Sequence, residues 1–167
     1  MTDAQIWTEL VKWLMTRTGL TVIKTEQSGP RPALPYMALG FLGTAEVREL
    51  PQEVSFEDVM AGDPAEPAVK ATPIIETEWR FSLHAYGPTP TDHLRPLRSA
   101  MHLAQLNEPL MPGLVLHELS QVRNLPEYIN ETWEPRAQMD VFVRGLAKDG
   151  FLVDVIEQYS FDIERIP

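Results

Sequence analysis

Few residues in this 167-residue chain are of types that do chemistry. Glu76 and Glu78 stand two apart in a segment that alternates apolar and polar residues. They therefore project to one face of a strand, about 7 Å apart. That spacing suits paired carboxylates in acid–base or glycosidase work. Nothing near them supplies a sugar platform or a pocket, and a solvated or interfacial strand face accounts for both more simply. The four histidines are scattered. His84 lies on the polar face of a strand, His93 and His102 on a predicted helix, and His117 on another strand beside Glu118. His93 and His102 are about two and a half helical turns apart, so they point to opposite sides and cannot share a metal. Ser82, Ser99, Ser120 and Ser160 have no nucleophile signature around them. There is no G-x-G-x-x-G, no G-x-x-x-x-G-K-[ST], no H-E-x-x-H and no G-x-S-x-G. The chain has no cysteine, which excludes disulfides, thiolate zinc sites, iron–sulfur clusters and thiol nucleophiles. No catalytic, cofactor-binding or metal-ligating residue is assigned, and the chain reads as a non-enzyme.

Bulk composition narrows the classes further. Twenty-four acidic residues against fourteen basic ones give a net charge of −10, and the pI is near 4.8. Proteins that grip phosphate backbones are normally basic, so nucleic-acid binding is disfavoured. Arg95 and Arg98 form at most a small basic patch, expected to pair with acids within the chain or across an interface. No apolar run approaches the ~20 residues of a membrane span, and the N-terminus lacks a signal-peptide pattern. The expectation is a soluble, intracellular protein with no membrane partner. At 44% apolar and 23% charged residues the chain is of ordinary globular composition, so it needs no metal or disulfide to fold. Its length suits one domain, 1–167. Fifteen prolines, roughly twice the usual ~5%, imply many turns and ordered loops.

The elements that must position these residues follow from periodicity. Residues 2–18 read as an amphipathic helix, opened by a capping box at Thr2 and Gln5 and stopped by Gly19. Ile6, Trp7, Leu10, Val11, Trp13 and Leu14 form its apolar arc, and Trp13, at the edge of that arc, is an interface candidate. Residues 20–25 and 36–49 read as strands, with Gly40 and Gly43 marking a close approach or a bulge. Residues 51–72 carry five acids and three prolines and read as a long loop or hairpin arm, partly mobile in the isolated chain. Residues 73–86 are the clearest strand. Ile75, Thr77, Trp79, Phe81, Leu83 and Ala85 share one face, while Glu76, Glu78, Arg80, Ser82 and His84 share the other. Its pairing with 36–50 predicts a long hairpin. A second helix opens at Thr89-Pro90-Thr91-Asp92 with another capping-box pattern and fades by 107–109. Residues 115–125 read as a strand. Residues 132–146 and 151–166 read as a final hairpin turned by Lys148-Asp149-Gly150.

The order of short motifs is distinctive. A Trp-bearing helix ends at Gly19, and Pro32-Ala33-Leu34-Pro35-Tyr36 leads into a long strand. The run Phe81-Ser82-Leu83-His84-Ala85-Tyr86-Gly87 closes the next strand, and Leu94-Arg95-Pro96-Leu97 lies in the following helix. Asn124-Leu125-Pro126 precedes Trp133-Glu134-Pro135-Arg136-Ala137-Gln138-Met139-Asp140. In this sequence and spacing, nearly the whole chain outside 51–72 resembles the neck or tail terminator proteins of tailed bacteriophages and prophages. The resemblance implies an α+β fold, a twisted, mostly antiparallel mixed sheet with two main helices on one face, to which the composition of 51–72 adds a long protruding β-hairpin arm. It implies a virion protein assembled in the host cytoplasm. Six copies would form a ring on the last ring of tail tube protein, end tail polymerisation and present the surface that meets the head connector or stopper. DNA would pass through the bore without specific binding, and no cofactor is implied. Arg136 and Asp140 fall in the W-x-x-R-A-x-x-D stretch and are read as structural or interface positions. With Trp13, Glu76, Glu78 and Arg80 they form the set of interface candidates. Attraction between copies is expected on the strand edges of the 36–50/73–86 hairpin and on the first helix. The alternatives are another neck protein, such as a stopper or tail-completion protein, or a small α/β ligand-binding domain or enzyme with 51–72 as a lid.

Overall fold

The computed structural model of the chain describes residues 1–26, 28–59, 68–107, 110, 113–129 and 131–154. The first helix, α1 (Asp3–Thr18), starts as its sequence dictates. The Gln5 N–H donates to Thr2 Oγ1 at 3.3 Å, and the Thr2 N–H donates to Gln5 Oε1 at 2.9 Å. Gly19, at φ +68°, ends the helix with its N–H on the Met15 carbonyl. Ile6, Leu10, Trp13 and Leu14 are buried. Each such side chain contributes about 1.5–3 kcal/mol, against about 1 kcal/mol for the cap, so packing rather than capping holds α1 in place.

The strands that follow are β1 (Thr21–Lys24), β2 (Tyr36–Glu46), β3 (Glu53–Val59) and β4 (Ala68–Tyr86). After them come α2 (Pro90–Met101), the short α3 (Ala104–Asn107), β5 (Leu114–Leu119) and β6 (Arg123–Asn124). The chain closes with β7 (Glu127–Ile129), β8 (Thr132–Glu134), β9 (Arg136–Lys148) and β10 (Phe151–Asp154). β4 is the spine of the main sheet. On one side its upper half pairs antiparallel with β2, from Tyr36↔Tyr86 onwards, and its lower half pairs with β3. On the other side it pairs antiparallel with β9 and β10. β1 adds the one parallel pair, on β2, and β5 and β6 line the far edge of β9. β7 and β8 form a separate small hairpin.

Because paired residues share a face, the odd-numbered positions of β4 and β9 form one surface with Met37 and Leu39 of β2. Trp79, Phe81, Leu83, Met139, Val141 and Val143 are buried there against α1 and against Leu94 and Leu97 of α2. Both main helices therefore lie on that face, and no helix among the described residues covers the even-numbered face. The two glycines of β2 do what their positions suggest. Gly43, at φ +143°, takes up the register shift that follows Phe41. A Cβ at Gly40 would meet Thr25 Oγ1 at 2.6 Å, so the glycine admits the loop after β1 close to the sheet.

The structure departs from expectation at four places. The first is the final turn. Lys148↔Ile74 in β9 and Phe151↔Ala71 in β10 keep one uninterrupted register on β4, so the chain runs straight through Asp149-Gly150 instead of reversing. An Asp-Gly pair turns a chain only when the flanking strands are each other's best partners. Here the arm half of β4 offers a free edge already in register, and Gly150 leaves room for the Lys70 side chain beside it. The predicted residues 155–166 of that hairpin lie outside the described residues. The second is the start of α2. Pro90 bars Thr89 from the right-handed helical region. Thr89 turns through φ +53° and makes no side-chain cap bond, so the expected capping box is not formed. The third is the 115–125 strand, which breaks into β5 and β6 around Ser120, whose N–H and hydroxyl bind the backbone of Asp140. The fourth is the 73–86 strand, which has neighbours on both sides and no free edge to offer a second copy.

Residues 51–72 supply β3 and the first part of β4. With β10 they form a three-stranded arm that continues the sheet beyond the core. Residues 60–67, between β3 and β4 in the chain, lie outside the described residues. Val54, Phe56, Phe151 and Leu152 of the arm are exposed.

Candidate interface on the open face of the sheet

Five of the six interface candidates come together on the even-numbered, helix-free face. Glu76, Glu78 and Arg80 are contributed by β4, and Arg136 and Asp140 by β9 in register with Tyr86 and Ser82. Trp13 is not among them. It is 3% exposed, on the opposite side of the sheet, and its indole N–H donates to the Leu106 carbonyl at 2.8 Å. Its role is to tie α1 to α3, and a side chain buried in its own subunit has no surface to offer another.

Two polar clusters occupy the open face. In the first, Glu78 is 8% exposed and accepts from Arg80 Nε and from Arg144 Nε and Nη2, each at 3.0 Å. Burial pushes the Glu78 carboxyl up, but the guanidiniums of Arg144 and Arg80 outweigh it and hold it below the usual carboxylate range. Glu76 is engaged separately, accepting from Gln52 Nε2 at 3.2 Å with Arg48 at 3.6 Å. Arg80 also sits over the Phe142 ring at 5.8 Å. Both glutamates are thus committed to cations. The cavity bordered by Ile75, Thr77 and Trp79 opens on the other face, by the start of α1. This arrangement argues against the paired-carboxylate chemistry weighed from sequence.

The second cluster is a chain of hydrogen bonds. His84 Nε2 lies 3.1 Å from Ser82 Oγ, which accepts from Gln138 Nε2 at 2.8 Å. Gln138 Nε2 also donates to Asp140 Oδ1 at 2.7 Å, and Asp140 Oδ2 accepts from Arg123 at 2.9 Å. Arg136 pairs with Glu127 at 2.6 Å. Burial, and then the charge of Arg136, pushes the His84 imidazole below its ordinary value, so the ring is neutral at pH 7. A neighbouring serine and histidine suggest an activated nucleophile. However, Ser82 is buried, and His84 Nδ1 has no partner among the described residues, so no acid orients the ring. Nor do three metal-ligating side chains come together among those residues.

Exposed ion pairs are worth only about 0.2–1 kcal/mol each, so apart from the buried Glu78 carboxylate these clusters do little for stability. They do hold alternating charge in fixed geometry across a sheet face, a pattern that sets register and partner choice. At the end of that face, on the β7–β8 hairpin, Tyr128 and Trp133 pack at 5.2 Å while exposed by 60% and 67%. Large exposed aromatics of this kind are frequent anchors in protein–protein contacts.

The comparisons with known proteins decide the family. The sequence profile described as phage neck terminator protein matches residues 4–166. The chain belongs to the phage neck terminator family. This is a family of structural neck proteins of the phage virion. No curated protein matches the chain. Several solved structures match, one of them at 14% identity and a TM-score of 0.39, covering 87% of this chain and 96% of its own. No helix of the described residues is long and apolar enough to cross a membrane.

Within this neck terminator chain, sequence reading missed Arg144, Arg123 and Gln138 of the open face and the aromatic pair Tyr128/Trp133. The first and third were within reach. Residues 136, 138, 140, 142 and 144 alternate with the apolar 137, 139, 141 and 143, so parity alone puts Arg144 and Gln138 beside Arg136 and Asp140. Arg123 reaches Asp140 through the pairing of β6 with β9, and no local pattern announces that pairing.

Proposed function

We propose that the protein caps the tail tube of a tailed phage. Six copies close into a ring on the last ring of tube protein, stop its polymerisation and present the face to which the head connector or stopper attaches. DNA passes through the bore. The family match over residues 4–166 carries the reading. The helix-free sheet face supports it, since its paired charges suit protein contact better than catalysis. The net charge supports it as well, because an acidic wall repels DNA phosphates and keeps the conduit from binding its cargo. The chain has no reaction of its own in this role, and it works in the virion neck after assembly in the host cytoplasm.

The test is multi-angle light scattering across a salt and concentration series, with negative-stain imaging of the heavy fraction and of purified tail tubes incubated with the protein. Six-fold rings, free or on tube ends, are expected. A dimer under every condition, with bare tube ends, overturns the proposal.

A further inference from the structure

Two charged features lie at opposite ends of the sheet, and neither is satisfied within one copy. The first is a groove of about 510 Å³ between α2 and the β5–β6 connection, where Arg95, Arg98, Ser99 and His102 face Gln121 and Val122. Arg95 is held by Asp92 at 2.9 Å. Arg98 has no carboxylate partner among the described residues, and its buried Nε has no hydrogen-bond acceptor. In a chain with ten excess negative charges, a half-buried guanidinium without a counter-ion asks for one from outside. The second feature is the arm. Among the described residues β3 is paired on one side only, which leaves its outer edge free there. Along it Glu53, Glu57 and Asp58 are exposed beside exposed Val54 and Phe56. Among the described residues the one cation paired with Glu57 is Lys70, at 4.0 Å with both side chains open to solvent.

We infer that the acidic outer edge of the arm on one copy seats in the α2 groove of a second copy. The inference rests on the self-assembly proposed above and says which surfaces meet. Charge complementarity selects the occupant, because the chain's own arm presents carboxylates beside apolar side chains, and the groove presents Arg98, Arg95 and His102 beside Val122. The arm cannot serve its own groove. β4 runs from the arm to within four residues of α2, and fifteen residues of strand, from Ala71 to Tyr86, span roughly 50 Å. Two different patches at opposite ends of one molecule make a heterologous contact, which does not stop at a dimer and forms a ring when its rotation closes. The exposed edge of β3 is an aggregation hazard in a free subunit, and seating it on a neighbour removes the hazard.

The experiment uses the whole chain with purified tail tubes and in solution. Arg98→Glu should raise the concentration for half-assembly about tenfold or more, since repulsion replaces attraction at the groove. Adding Glu57→Arg to the same chain should restore assembly. The protein has no cysteine, so Glu57→Cys and Ser99→Cys can be combined and mildly oxidised without interference. A ladder of covalently linked copies is expected from the double variant, and nothing beyond a dimer from either single variant. If Arg98→Glu loses its thermal transition, the cysteine pair decides the matter alone. Normal assembly by a folded Arg98→Glu chain, or no ladder from assembled double-cysteine chains, overturns the arm–groove contact and leaves the ring intact. Failure of the unaltered chain to assemble at all overturns the ring itself.

Discussion

Glu78 is the residue whose surroundings say most. Two arginines share its carboxylate, which is 8% exposed, so removing the acceptor leaves two neighbouring guanidiniums without the charge that held them together. Glu78→Ala should cost about 1–3 kcal/mol, read as a lower urea midpoint at unchanged slope. Glu76→Ala, whose partners are exposed, should stay within about 0.5 kcal/mol. Equal losses at the two positions would mean that pairing on this face does not matter. The pH dependence has two windows. His84 is depressed in the fold, so its contribution is present above the unfolded value near 6.5 and is lost as pH falls below it. Glu78 is also depressed, so its contribution is present above the ordinary carboxylate value and fades further into acid. His84→Gln should flatten the stability profile just below about pH 6.5 and leave the loss below about pH 4.5 in place. A profile unchanged by the substitution would place the titration elsewhere. Thr89 is the strained residue. A β-branched side chain in the left-handed region costs about 1–2 kcal/mol. Thr89→Asn should therefore raise the melting temperature, by about 2–4 °C for each kcal/mol recovered. A lower melting temperature would show that the hydroxyl is needed.

Among the elements, the arm differs from the rest of the sheet in that no helix of the described residues packs on it. β4 spans both regimes: Trp79, Phe81 and Leu83 are buried under α1 and α2, while the strands around Ala71 leave Phe56 and Phe151 open. Local stability follows buried apolar area. Amide exchange followed by mass spectrometry should therefore show weak protection in 53–59 and 151–154 and strong protection in 79–85 and 137–143. Protection in 53–59 should rise once copies assemble if the arm is a subunit contact. Uniform protection across β4 in the free chain would argue for a second layer over the arm.

For the whole molecule, net charge governs behaviour. Six copies at −10 each carry −60, and that repulsion opposes ring closure. The Debye length falls from ~30 Å at 0.01 M to ~8 Å at 0.15 M, so salt should favour rings even though the proposed contact contains ion pairs. Pairs covered on assembly are screened much less than the long-range repulsion. The free chain should be monomeric at low salt and low concentration, with rings growing in as either rises. The same charge predicts no retention of long duplex DNA in a filter-binding assay at physiological salt. Micromolar affinity for DNA would be incompatible with a passive conduit.

Periodicity and composition alone determined a good deal. The capping box at Thr2, the stop at Gly19 and the two faces of the strand at 73–86 all depend on neighbours a few residues apart, so local sequence suffices for them. The order of short motifs was enough to point to the neck terminator family. Tertiary structure decided what depends on distant partners. The Asp149-Gly150 pair carries a strong turn signal, yet the free edge of β4 some eighty residues away captured the chain and ran it straight on. Trp13 sits at the rim of a helical arc and looks available, but α3 supplies a carbonyl that draws it inside. Parity places Glu76, Glu78 and Arg80 on one side of a strand, and the register of β9 adds Arg144 to make an ion cluster. The unpaired Arg98 and the acidic edge of β3 are ordinary residues in the sequence. Only the fold sets them at opposite ends of a rigid sheet, because the separation between them is the length of β4 and no local pattern encodes which strands will lie beside it.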